Sequence, residues 1–154
     1  MNNYIINSNT VAIIPLKSKI TRILEEDNSF IVNENSMKII ENSCEFFGSS
    51  YLGRHKGTKN LTVINYKSPI IVEESKNIIF FPTTSPRQIE CSWISLSHIN
   101  KYNNKNGKIE VLFENGDKYV FDMSYGSFDN QYLRATKLES NLEKEKYKNF
   151  SFFM

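Results

Sequence analysis

The 154 residues predict an α+β domain: a mainly antiparallel sheet built from hairpins, one helix near residues 36–47 and a long C-terminal helix near residues 127–147. Three observations carry this. Asn115-Gly116 stands between two alternating apolar runs, 109–114 and 118–123, the pattern of a tight hairpin. Apolar residues recur at helical spacing twice, first as Met37, Ile40, Cys44 and Phe47, then as Phe128, Tyr132, Ala135, Leu138 and Leu142. The aromatics are mostly Phe and Tyr, side chains that suit a pleated surface.

In chain order, Val11-Ala12-Ile13-Ile14-Pro15-Leu16 is a short apolar run stopped by proline and reads as a strand. Segments 20–25 and 29–33 flank Glu26-Asp27-Asn28, a turn-forming cluster, and read as a hairpin. Asn35 or Ser36 offers an N-cap to the first helix, and Gly48 closes it. Residues 61–66 read as a strand, and 69–72 with 78–81 as a hairpin. Two prolines make 82–87 a loop with Arg87 at its tip. Residues 93–102 read as one strand, turned at Asn106-Gly107 into the 109–123 hairpin, so three antiparallel strands follow one another. Ser124 or Ser127 caps the last helix, and the apolar residues 150–154 are free to pack back or meet a partner.

Composition narrows the function. A net charge of +2 is faint, so a nucleic-acid binder of this composition has to gather its cations on one face. Two distant cysteines make no disulfide framework. No apolar run approaches the roughly 18–20 residues that span a bilayer. The start, Met1-Asn2-Asn3-Tyr4, lacks the basic flank and apolar core of a signal peptide. The expectation is one domain over residues 1–154, cytoplasmic, with reduced thiols and no membrane contact.

Catalytic and metal chemistry find little support. Cys44, Cys91, His55 and His98 lack the short spacings of a structural zinc site, and Cys44 falls on an apolar stripe. Cys91 and His98 on one strand would stand roughly 23 Å apart on opposite faces, which excludes a nucleophile pair. No nucleophile elbow, phosphate loop or acidic metal cluster is present. The expectation is no enzyme, no cofactor and no metal.

The densest stretch is Cys44-Glu45-Phe46-Phe47-Gly48-Ser49-Ser50-Tyr51-Leu52-Gly53-Arg54-His55-Lys56-Gly57-Thr58. Its glycines bracket the chain's one Arg-His-Lys run, and glycines beside cations let a backbone approach a phosphate chain. Arg54, His55, Lys56 and Lys59, with Ser49, Ser50 and Thr58 as hydroxyl donors, read as a nucleic-acid footprint, against a solvated basic turn. Phe46 and Tyr51 read as core. A helix-turn-helix would run its second helix through Gly53 and Gly57, each costing about 1 kcal/mol, so a loop or broken short helix is expected. Asn130, Gln131 and Arg134 form a second candidate set near the start of the last helix, opposed by Asp129.

This stretch resembles the ComK family, the bacterial competence transcription factors. Phe80-Phe81-Pro82-Thr83, Cys91-x-Trp93-Ile94-Ser95, Phe113-x-Asn115-Gly116 and the 124–134 segment look similar in the same order, together spanning about residues 37–138. The resemblance implies a sequence-specific DNA-binding activator of DNA-uptake genes. It implies paired A/T-rich boxes on double-stranded DNA, dimers that associate further, and an adaptor that delivers the protein to a protease. Narrow A/T minor grooves concentrate negative potential, and Arg54, with Lys56 and Lys59 beside it, is the expected contact. Truncating Arg54 is then expected to weaken binding several-fold with little loss of stability. Family members continue well past the final helix and this chain is short there, so a non-activating paralogue that forms mixed dimers with a longer relative is the alternative. A small-ligand-binding domain is a third.

Overall fold

A computed structural model describes residues 3–152, with side chains described for 3–148; the expectation for the apolar residues 150–154 lies outside them. Nine strands and three helices follow in order. They are β1 (Thr10–Lys17), β2 (Ile20–Glu25), β3 (Ser29–Val32), α1 (Ser36–Phe46), α2 (Tyr51–Thr62), β4 (Ile70–Glu73) and β5 (Ile78–Pro82), then β6 (Trp93–Ser95), β7 (Ile99–Lys105), β8 (Lys108–Phe113), β9 (Lys118–Phe121) and α3 (Tyr125–Phe152). The fold is α+β, as the hairpin and stripe patterns predict. One antiparallel sheet has the order β3-β2-β1-β6-β5-β4, and a second has the order β7-β8-β9.

The inner strands β1, β5 and β6 are buried on both sides over most of their length, which is why β1 and β5 read as continuous apolar runs. Ile23, Ile13 and Trp93 lie in one cross-strand row and pack with Ile39, Ile40 and Cys44 of α1. The next row, Leu24, Ala12, Ile94 and Phe81, faces the opposite way. It joins Ile109, Val111 and Phe113 of the second sheet and Phe128, Ala135, Leu138 and Leu142 of α3. One sequence period of two thus feeds two cores.

Local chemistry sets the ends. Asn35 Oδ1 accepts from the amides of Met37 and Lys38, so Asn35 is the cap of α1. Gly48, at φ +88°, ends that helix: its amide donates to Glu45 O and that of Ser49 to Cys44 O, a Schellman closure. Asn106 and Gly107 both take positive φ, the requirement of the two-residue turn joining β7 to β8. Ser124 Oγ accepts from the Ser127 amide and starts α3.

Four expectations are corrected. Residues 49–59 form no loop; most of them lie in α2. Residues 61–66 form no strand, because Leu61 and Thr62 finish α2 and Val63, at φ +61°, caps it. Residues 93–102 are not one strand: a 3-10 turn at Leu96–His98 passes the chain from the first sheet to the second. The turn is pinned by Ser95 Oγ against His98 Nδ1 at 2.8 Å and by His98 Nε2 against Glu26 Oε1 at 3.1 Å. Phe46, expected in the core, is 68% exposed and stands edge-on to Phe47.

Candidate nucleic-acid interface

Helix α2 explains how the basic cluster is arranged. It lies along β4, an edge of the six-stranded sheet, where unpaired carbonyls would otherwise face water. Thr58 Oγ1 donates to Pro69 O at 2.6 Å, and Arg54, one turn earlier, offers Nη2 to Val72 O at 3.4 Å. His55 Nε2 meets Ser68 Oγ at 3.3 Å, and Tyr51 stacks edge-on against Trp93. Tyr51, Arg54, His55, Thr58 and Thr62 therefore form the inward face. Leu52, Gly53, Lys56, Lys59, Asn60 and Val63 face solvent.

The expected footprint thus divides. Lys56 and Lys59 stand exposed on one side of a helix, three residues apart. Ser50 caps the helix, its Oγ accepting from the Gly53 amide, and Ser49 is half-buried beside it. Arg54 is not on a loop: its side chain is 15% exposed, Nη1 lies 3.7 Å from Glu74, and buried Nε has no partner among the described residues. Thr58 is buried. The 3.4 and 3.7 Å contacts are long, so Arg54 is held loosely for a group at the foot of a helix.

The second candidate set divides in the same way. Gln131 is buried, with Nε2 donating to Lys67 O at 3.0 Å and to Pro82 O at 2.8 Å. Arg134 donates to Tyr66 O, Lys67 O and Gln131 Oε1. Together they clamp the α2–β4 connection to α3. Asn130 is exposed, and Asp129 accepts from the Tyr102 hydroxyl at 2.6 Å.

The thiols are buried. Burial pushes the Cys44 thiol up to about 11, and it raises Cys91, whose Sγ lies against Thr84 O. Among the described residues no group of His, Cys, Asp and Glu is arranged to hold a metal ion, and no helix is long and apolar enough to cross a membrane.

The two glycines of α2 differ. A Cβ on Gly53 would meet Ser49 Oγ at 2.9 Å, whereas one on Gly57 meets nothing within 4 Å. Gly57→Ala is therefore expected to stabilise the fold by up to about 1 kcal/mol, through helix propensity alone. A thermal melt checks this, and a lowered midpoint would show that Gly57 is needed for a conformation α2 does not display.

The architecture spends polar side chains of α2 on the edge of the six-stranded sheet and leaves Lys56 and Lys59 exposed on its outward face. The ComK protein family matches over residues 1–147, and the chain belongs to that family. It is 38% identical over 147 residues to the competence transcription factor of Bacillus subtilis (strain 168), an alignment covering 93% of this chain and 77% of that relative. It is a ComK-like regulator. No solved structure matches it.

Proposed function

We propose that this chain is a sequence-specific DNA-binding transcriptional regulator that binds paired A/T-rich boxes through the minor groove and activates genes for DNA uptake. The observation that carries the reading is the outward face of α2, where Lys56 and Lys59 stand exposed beside Asn60 with no acidic residue in the helix. Family membership supports the regulatory role. Lys56 and Lys59 supply phosphate contacts, with exposed Ser50 and Asn130 and the half-buried Ser49 at the margins, because accessible cations and donors are the groups that duplex DNA engages; His55, turned inward against Ser68, joins the frame. Arg54, Thr58, Gln131 and Arg134 act on this reading chiefly by holding the frame. The chain works as a homodimer or higher oligomer, and an adaptor–protease system sets its lifetime.

Fluorescence anisotropy against a duplex with two A/T-rich boxes and a G/C-rich duplex of equal length tests the reading. Binding should favour the A/T duplex at least tenfold and weaken steeply with salt, since each neutralised phosphate adds roughly 0.9 to the slope of log affinity against log salt. Equal, weak binding to both would sink it and point to action through protein partners.

A further inference from the structure

We infer that the β7–β8 hairpin and the outer face of its three-stranded sheet form a second contact with duplex DNA, separate from α2. This deepens the proposed function and rests on it. The strand register carries it. Lys101 pairs with Leu112 and Leu112 with Lys118, so two lysines flank one exposed row. Asn103, Glu110 and Val120 form the next row, and Lys105 faces Lys108 directly at the tip. The opposite parity, Ile109, Val111, Phe113 and Phe121, packs with α3 residues in the core, so the lysine face is left to solvent. Residues 103–108 are all exposed.

The three strands and their turns carry four lysines and four acids, Glu110, Glu114, Asp117 and Asp122, and it is the tip, residues 103–108 with Lys105, Lys108 and no acid, that favours a polyanion. Like charges directly opposite each other on a sheet repel, yet Lys105 and Lys108 occupy such a pair. Glu110 offsets part of this through Lys105 Nζ at 3.0 Å. Lys101, Lys108 and Lys118 have no acidic partner among the described residues. Asp122, just past β9, is a nearby acid, and Glu114 accepts from Asn100. With strands about 4.8 Å apart and about 3.3 Å per residue, the lysine pairs lie roughly 10–13 Å from one another. A duplex carries one phosphate per about 3.4 Å of each strand, so that span reaches phosphates three to four base pairs apart. A two-stranded ribbon also fits a DNA groove, which would bring Asn103 and Asn106 towards base edges.

The test uses the full chain and the A/T duplex. Replacing Lys101, Lys105, Lys108 and Lys118 together by Gln should weaken binding at least tenfold, and the salt slope should become shallower by about three to four. Lys108→Glu alone turns a repulsive cross-strand pair into an attractive one. It should hold or raise the melting midpoint while weakening binding at least threefold, opposite effects that a merely structural role would not produce. Unaltered affinity and slope in both variants, with the parent chain binding normally, would overturn this inference and leave the α2 interface standing. Failure of the parent chain to bind either duplex would overturn the DNA reading and this one with it.

Discussion

Lys56→Gln combined with Lys59→Gln should weaken A/T-duplex binding about thirtyfold while leaving the melting midpoint within about 2 °C. A charge pair about 4 Å apart in water is worth about 1 kcal/mol, and two such contacts multiply to roughly that factor. Both side chains are exposed and neither has an acidic partner among the described residues, so the fold loses little without them. The salt slope should fall by about two. Arg54→Ala is the contrasting variant. It removes the offered bond to Val72 O and the contact with Glu74, but also an orphaned buried Nε, so a net cost of about 1 kcal/mol is expected. Its signature is a melting midpoint lowered by about 2–4 °C with binding reduced less than in the lysine pair. The sequence alone predicts the reverse for Arg54. If Arg54→Ala abolishes binding at unchanged stability, phosphate draws that side chain out of its contacts and the α2 interface is centred there.

What the sequence made legible follows from which forces leave a pattern. Asn-Gly turns have backbone requirements that few residues meet, so the β8–β9 hairpin was visible from two letters and its neighbours. The apolar stripe of α3 was visible because burial against a sheet demands one. Helix α2 was hidden for a physical reason: its inward face is Tyr51, Arg54, His55, Thr58 and Thr62, which meet a strand edge through polar groups, so no hydrophobic period appears. The cost of Gly53 and Gly57 argued against a helix, but the Ser50 cap and the bonds to β4 offset it. A spacing of three and four among Tyr51, Arg54, Thr58 and Thr62 was the signal available. The candidate cations at 54–59 were readable by residue type and not by side: a helix sends neighbours in opposite directions, and only its presence separates Lys56 from Arg54. Val63 misled for a related reason, since a β-branched residue reads as strand and here sits at φ +61°.

Gln131 carries the largest expected stability effect. In the sequence it falls at the 3-4 spacing of Phe128, Ala135, Leu138 and Leu142, a polar residue within an apolar stripe, and at 4% exposure it is core. Its amide satisfies Lys67 O and Pro82 O, and its oxygen steadies Arg134, which in turn holds Tyr66 O. The connection so held is strained: Val63 and Lys67 both have positive φ, and such conformations persist only where the surroundings over-determine them. Gln131→Ala removes the side-chain donor to Pro82 O in a buried contact, leaves Lys67 O to Arg134 alone and takes away the oxygen that steadies Arg134, a loss of about 2–4 kcal/mol. For a chain of this size that is a fall of roughly 5–15 °C in the melting midpoint, and Asn130→Ala, one residue away and exposed, should change stability by less than about 0.5 kcal/mol. DNA binding measured near 10 °C, where Gln131→Ala is still folded, separates the two roles this residue has been given. Affinity within twofold of the parent chain makes Gln131 the clamp that keeps α2 seated on β4. A large loss of affinity in a chain that melts normally would make it a DNA contact, and the buried geometry would then have to open on binding.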